Sequence, residues 1–319
     1  MKQGSKRSVL AMLFVLGILT WVNGCAVLTQ SQINEVDDFA KASKQYTDLP
    51  GSLAQSYGIL LRDSKLLSLS RYEYGKVGAG GGVDTARSKH AWEELNKAYS
   101  LEVDFNEVGR RMDAALKILK DYSDILSDLV SDKYGDTLGN NAVELGESMD
   151  KAVDSYNKSY PSRAPLTKVG GYVGSLVRGA GGIYIRHRQA EILRDTIEKA
   201  NPLVESLMNE VELIASNFME DLKNYEKSYL RAEFMSVANN SQRIDFPTVA
   251  LVYEDLKRVK TTATLADQVA KAARTYKEAH AQLVANTRQR KDLDSVIEKV
   301  KALEKEVQAA QKVKKAIGD

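Results

Sequence analysis

The residue types that most often carry chemistry are scarce in this chain of 319 residues. It has one cysteine, Cys25, and three histidines, His90, His187 and His280. No histidine lies within helical reach of another, and neither an H-E-x-x-H motif nor a G-x-S-x-G elbow occurs. A single thiol can form neither an internal disulfide nor a cysteine-based metal site. Carboxylates are abundant, but none is singled out as part of an acid–base couple. The sequence therefore predicts no catalytic residue, no metal site and no cofactor.

The first 24 residues predict a signal for export. Lys2, Lys6 and Arg7 precede the mostly apolar, uncharged stretch Val9–Val22. A basic segment followed by an apolar core of about 7–15 residues is typical of a secretory signal peptide, whereas a transmembrane helix needs roughly 20 residues. An uncleaved N-terminal anchor is the structural alternative.

The end of this segment, Val22-Asn23-Gly24-Cys25, resembles the lipobox of bacterial lipoproteins, although Asn23 departs from the small residue usual at its position. The resemblance implies cleavage between Gly24 and Cys25 and acylation of Cys25, which then becomes the mature N-terminus. Three acyl chains would hold the protein on a membrane essentially permanently, because each buried CH₂ contributes about 0.8 kcal/mol. In such lipoproteins an Asp after the cysteine retains the protein at the inner membrane. Ala26 therefore implies the outer membrane, facing the periplasm.

The charge of the mature chain gives no sign of a nucleic-acid partner. The whole chain carries a net charge of +2, and removal of the three basic residues of the leader leaves about −1. A near-neutral protein has no global field for a polyanion. The partners that the sequence predicts are membrane lipid, through acylated Cys25, and an envelope protein or a second copy of the chain.

The mature chain has strong helical periodicity. Apolar residues recur at alternating steps of three and four, the spacing of helices packed side by side. One such seam contains Val108, Met112, Ala115, Leu119, Tyr122, Leu126 and Leu129, and a second contains Val204, Leu207, Val211, Ile214, Phe218, Leu222, Tyr225 and Tyr229. We therefore predict an all-α fold: residues 25–319 form one domain, an elongated antiparallel bundle of five to seven helices with coiled-coil-like seams.

The C-terminal third predicts a long helical region over about residues 247–317. Pro247 suits a first helical turn, and neither Gly nor Pro recurs before Gly318. A single helix from Leu265 to Ile317 would be near 80 Å long at about 1.5 Å per residue. Breaks are expected at residues 261–262 or 286–287, and the exposed remainder of this region is the predicted surface for a partner or a second copy.

Residues 169–185 form a glycine-rich apolar segment with two interpretations. Its small residues Gly170, Gly171, Gly174, Ser175 and Gly179 have spacings that allow close helix packing. The first interpretation is a glycine-lined helix packed tightly in the bundle. The second is membrane contact by a hairpin, as in helical pore-forming toxins, although the segment is shorter than the roughly 20 residues that span a bilayer.

These observations predict a lipid-anchored envelope protein that acts as a non-catalytic scaffold or interaction module. The alternative function is membrane perturbation through residues 169–185. An enzyme with a carboxylate-based site in an interhelical cleft is a third hypothesis, supported only by the abundance of Asp and Glu.

Overall fold

The computed structural model describes residues 29–70, 85–131, 138–159, 161, 165–172, 185–240, 246–289 and 293–318. Its helices are α1 (Gln30–Thr47), α2 (Leu49–Ser70), α3 (Thr85–Val130), α4 (Leu138–Ser159), α5 (Ile185–Tyr225), α6 (Arg231–Asn240), α7 (Phe246–Gln289) and α8 (Leu293–Gly318). A π-helical turn, Glu226–Leu230, joins α5 directly to α6. The described residues thus contain seven continuous helices and no strand. The predicted all-α fold and the predicted number of helices are confirmed.

Local sequence signals account for several helix ends. Thr29 caps α1, because its side chain accepts the backbone N–H of Gln32 while the Gln32 side chain accepts the backbone N–H of Thr29. Pro247 is the second residue of α7, as the sequence predicted. Its ring costs nothing there because a first-turn N–H has no partner within the helix.

Contacts between helices show that the pairs α2/α3, α5/α7 and α1/α3 are antiparallel. On α2 and α3, Arg62 pairs with Glu102 and Lys65 with Glu94, so numbers rise along one helix as they fall along the other. The same order holds between α5 and α7, where Asn209 contacts Lys277, Glu212 contacts Arg274, and Glu226 at the π turn contacts Lys260. Residues 37 and 44 of α1 face residues 127 and 124 of α3. The predicted antiparallel arrangement is confirmed.

The bundle is long and its two ends differ. Helix α3 alone has 46 residues, about 69 Å at 1.5 Å per residue. The main core is built from α1, the start of α2, α3, α4, α5, α7 and α8, and lies towards the end where α1 begins. A smaller core joins α2, α3, the end of α5 and α7 at the other end, around Tyr57, Leu60, Leu222, Leu230 and Val259. We call this thinner end the distal end.

The predicted seams lie in the cores, with one shift. Leu119, Tyr122, Leu126 and Leu129 are fully buried in the main core. The second seam was expected to continue to Tyr229, which is instead exposed, while Leu230 is buried. The π turn is the physical reason, because its wider hydrogen-bonding pattern inserts one extra residue and rotates the following side chains.

The C-terminal region is not one continuous helix. Helices α7 and α8 fold back on each other, with Lys299 of α8 paired to Glu278 of α7. The predicted helix from Leu265 to Ile317 is therefore wrong, and so is a break at residues 261–262, because α7 runs through them and Thr262 is buried. The chain divides after Gln289, close to the break expected at residues 286–287. The seam of α8 lies in the main core: Val296, Val300, Leu303, Val307 and Ala310.

Candidate functional site

Several predicted site residues lie outside the described part of the chain. These are Gly24 and Cys25 of the leader and Gly174, Ser175 and Gly179 of the glycine-rich segment. Cleavage before Cys25, its acylation, and membrane contact by the segment 169–185, of which residues 173–184 lie outside the described part, therefore stay predictions.

Gly170, by contrast, lies directly against Gly146 of α4. A Cβ atom built on Gly146 would be 2.5 Å from the Gly170 carbonyl oxygen, and one built on Gly170 would overlap the Gly146 carbonyl group. The two backbones are thus too close for any larger residue without movement. Sequence analysis missed Gly146, although an isolated glycine inside a helical pattern commonly has a packing reason.

Asp150, one turn after Gly146 on α4, holds the two backbones in this close contact through hydrogen bonds. Its carboxylate accepts the backbone N–H groups of Val169 at 3.1 Å, Gly170 at 2.8 Å and Gly171 at 2.8 Å. Asn157 forms two further hydrogen bonds, to the backbone N–H and carbonyl of Leu166. Residues 165–172 therefore form a strap held along α4, and the Asp150 carboxylate already occupies the donors that an external anion would use.

Among the histidines whose side chains are described, His280 lies in the core, and its contacts give it a structural role. His280 is fully buried, its Nε2 lies 2.8 Å from Tyr122 Oη, and its Nδ1 lies 3.2 Å from Asn201 Oδ1. Since an amide oxygen only accepts, Nδ1 carries the proton and Nε2 accepts from Tyr122. Burial lowers the pKa of His280 to about 3, so the ring is neutral at physiological pH. Neither its burial nor its partners leave room for a substrate.

The other histidines do not add to a site within the described residues. His90 lies on the exposed surface of α3, and the side chain of His187 is outside the described part of the chain. Next to His280, the hydroxyls of Ser43, Ser123 and Tyr276 bond to one another in the core, and burial raises the pKa of Tyr276 above its usual range. This network satisfies buried polar groups and offers no open cleft.

The surface feature that stands out is the concentration of exposed apolar side chains at the distal end. Among the described residues, fourteen large apolar side chains are exposed. All but Tyr172 and Leu213 lie in the middle and second half of α2, the first half of α3, the π turn, α6 and the first part of α7. These twelve are Ile59, Leu66, Trp92, Leu95, Tyr99, Val103, Tyr229, Met235, Phe246, Val249, Leu251 and Tyr253.

Four of them form a continuous stripe on α3, which we call the α3 stripe: Trp92, Leu95, Tyr99 and Val103. Their spacings of three, four and four place them within a narrow sector of one helix face. Trp92 is 64% exposed and Tyr99 is 68% exposed. Single surface hydrophobics need no explanation, but a contiguous apolar patch marks an interaction surface.

An apolar groove lies between the π turn, α6 and α7. It is an open groove lined by Leu230, Phe234, Val252 and Leu256, together with the polar side chains of Glu226, Lys227 and Arg231. Glu226 pairs with Lys260 of α7 at 3.5 Å. The groove adds concave apolar surface to the distal end, next to the exposed residues of α7.

Comparison with protein-family models, with curated proteins and with solved structures finds no match to this chain. Among the helices that the structure describes, none is long and apolar enough to cross a membrane. The same residues contain no group of three or more His, Cys, Asp or Glu side chains that could hold a metal ion. The distal apolar surface is therefore the candidate site on which a function can be argued.

Proposed function

We propose that this protein is a lipid-anchored, non-catalytic scaffold or interaction module of the bacterial envelope. Acylated Cys25 holds it on the outer membrane, facing the periplasm, and its distal end binds an envelope protein or a second copy. The observation that carries this proposal is the position of the exposed apolar side chains, twelve of the fourteen in the described residues lying at the distal end.

The position of the anchor determines where these exposed apolar side chains would lie relative to the membrane. Helix α1 begins at Gln30, five residues after Cys25, so the end of the bundle that contains the main core would lie near the membrane. Helix α3, about 69 Å long, extends from this region to the distal end. An anchored molecule would thus present its exposed apolar residues away from the lipid, where another protein can reach them.

The binding surface proposed here differs in part from the one that the sequence suggested. The apolar face of α8 is used inside the bundle, and Lys314 near its end bonds to the backbone carbonyl of Asp48 at 3.2 Å. The exposed residues at the start of α7 belong to the C-terminal region that the sequence suggested, whereas the α3 stripe is an addition to it.

Site-specific photocrosslinking in native membranes tests the proposal. A photoreactive residue is introduced at Tyr99 or at Tyr253, and the matched control is Leu213, which is 52% exposed on α5 but lies outside the distal end. We expect discrete crosslinked products from both distal positions and none from the control. Equal products from all three positions, or none from the distal ones, would contradict the proposal.

The anchor is tested separately. We expect the purified mature protein to begin at Cys25 with acyl groups attached, as measured by mass spectrometry of its N-terminal peptide. The Cys25→Ser variant should lose acylation and be released from washed membranes. An unmodified Cys25, or a retained leader, would refute the anchor without affecting the crosslinking result.

A further inference from the structure

The α3 stripe has the features of a helix seam that lacks its partner helix. Its spacing is that of the seams that are buried elsewhere in the bundle, yet its four members are exposed. In this stretch, the described contacts of α3 are with α2, through Arg62 and Lys65. These contacts leave the stripe on the outer face of α3.

We propose that the α3 stripe binds the same stripe of a second copy of this chain, with the two α3 helices antiparallel. A two-fold axis near residues 97–98 places Trp92 opposite Val103 and Leu95 opposite Tyr99 of the other copy. Large and small side chains thus alternate across the contact, as interdigitating seams require. A self-complementary patch is what a two-fold symmetric dimer needs.

Charges beside the stripe select this orientation. Lys89 and Glu107 are 18 residues apart, about five helical turns, so they flank the stripe on the same side at opposite ends. In an antiparallel pair, Lys89 of each copy meets Glu107 of the other. Ser88 and Asn106, also 18 residues apart, continue the line of the stripe beyond its two ends and meet each other in the same way.

Glu107 already has partners within its own helix, which limits the strength of these pairs. It contacts Arg110 at 2.6 Å and Arg111 at 3.0 Å, and all three side chains are well exposed. Exposed ion pairs contribute little to affinity but do discriminate between orientations. The charges therefore set the register, while burial of the stripe provides the binding free energy.

The area of the stripe predicts a weak dimer. Trp92 and Tyr99 together leave on the order of 250 Å² exposed, given the roughly 150–250 Å² that a fully buried aromatic side chain removes from water. Leu95, Val103 and the flanking polar residues enlarge the contact, but a stable interface buries about 800 Å² per partner. We therefore expect a dissociation constant on the order of micromolar rather than nanomolar.

The register also determines how anchored copies could meet. It places the α1 ends of the two bundles at opposite ends of the dimer. Copies anchored through Cys25 in one membrane would therefore pair in this register while lying along its surface, and not while both stand with their distal ends directed away from the lipid. The dimer itself depends only on the stripe, so it can be measured without the anchor.

The experiment uses the chain from Ala26 to Asp319, which contains every described helix. Trp92 is its only tryptophan, because the other tryptophan of the sequence, Trp21, lies in the leader. Sedimentation velocity and tryptophan emission are measured from about 0.5 to 200 μM protein without lipid. We expect a monomer-to-dimer transition accompanied by a blue shift, since dimerisation removes Trp92 from water.

Variants test the surface and then the register. Tyr99→Glu should abolish the dimer, whereas Leu213→Glu, an exposed apolar residue on α5, should not; circular dichroism verifies that both remain helical. Lys89→Glu and Glu107→Lys should each weaken self-association, and mixing these two variants should restore it, because both junctions of the mixed pair then join opposite charges.

The outcomes separate the alternatives. A monomer over the whole range, or a dimer unaffected by Tyr99→Glu, would overturn the proposal. A Tyr99-dependent dimer that mixing does not restore would overturn the antiparallel register. A blue shift that needs phosphatidylglycerol-containing vesicles would assign the stripe to lipid instead. Distal crosslinks from Tyr253 to another protein would still support the proposed scaffold, so the two proposals can fail independently.

Discussion

The contact between Gly146 and Gly170 gives a sharp prediction, because the neighbouring glycine supplies a control. A Cβ on Gly170 would overlap the Gly146 carbonyl group, which belongs to the backbone of α4 and cannot rotate away. A Cβ on Gly171 would meet only the Asp150 carboxylate, at 3.3 Å, which is a side chain able to shift by a few tenths of an ångström. Gly170→Ala and Gly171→Ala thus add the same methyl group. The first places it against the backbone of α4, and the second places it against a side chain that can move.

The two substitutions are expected to change the free energy of unfolding in opposite directions. In a helical conformation, replacing Gly by Ala is worth about 0.5–1 kcal/mol of stability, so Gly171→Ala should be neutral or slightly stabilising. Overpacking typically costs about 1–3 kcal/mol, so Gly170→Ala should lower the free energy of unfolding, or that of local opening of the strap, by about 1–2 kcal/mol net. In a protein of this size that corresponds to a melting temperature lower by roughly 2–3 °C if the effect is global.

Two measurements distinguish global from local effects. Denaturant unfolding followed by circular dichroism reports the free energy of unfolding of the bundle. Hydrogen exchange at the amides of residues 166–171 reports opening of the strap, which is held by Asp150 and Asn157. If Gly170→Ala matched Gly171→Ala in both measurements, the close backbone approach would not be a constraint and the reasoning would be refuted.

Three further predictions follow from other contacts. Asp150→Ala should expose or orphan three backbone N–H groups and speed hydrogen exchange throughout residues 169–171, at a cost of about 1–3 kcal/mol to strap closure; unchanged exchange would contradict this. Since burial lowers the pKa of His280 to about 3, the unfolded chain binds the proton more tightly. Stability should therefore fall as pH decreases from about 6.5 towards 3, with about 2–3 kcal/mol lost by pH 4.5; His280→Gln should remove that part of the pH dependence in denaturant unfolding. Leu303→Ala should cost about 2–5 kcal/mol, because Leu303 of α8 is fully buried, whereas the exposed Lys301→Ala should stay within about 0.5 kcal/mol; equal midpoints in urea would show that α8 is not part of the core.

Much of the fold could be predicted because its signals are local. The seam through Leu119 and Tyr122 needs only the helical period, and both residues are fully buried as that period requires. The reversal between α7 and α8 could not be predicted in this way. The sequence between the two helices, Arg290-Lys291-Asp292, contains neither Gly nor Pro, so no residue type there indicated the reversal, which instead accompanies burial of the α8 seam in the main core.

The candidate site depended even more on non-local contacts. In the sequence, Asp150 cannot be distinguished from the many other carboxylates of helix surfaces. Its role becomes apparent only in the folded chain, where it accepts the backbone N–H groups of residues 169–171. The exposure of Tyr229 and the burial of Leu230 likewise depend on a π turn, which no residue type in the sequence predicts. The α3 stripe was not among the seams that the sequence predicted, and helical periodicity alone cannot distinguish a buried seam from an exposed one.

The sequence of α3 beyond the stripe indicates that the apolar character of the stripe is specific to residues 92–103. Positions 18 residues further along lie about five turns on and face the same direction as the stripe. They are Arg110, Asp113, Lys117 and Asp121, all of them charged. The same face of one helix is thus apolar over residues 92–103 and charged over residues 110–121. The charged part is covered within the bundle, since Lys117 donates to Ser148 of α4 and Asp121 is buried. The apolar part is exposed instead, so it is the part of this face that a partner from outside the chain would cover.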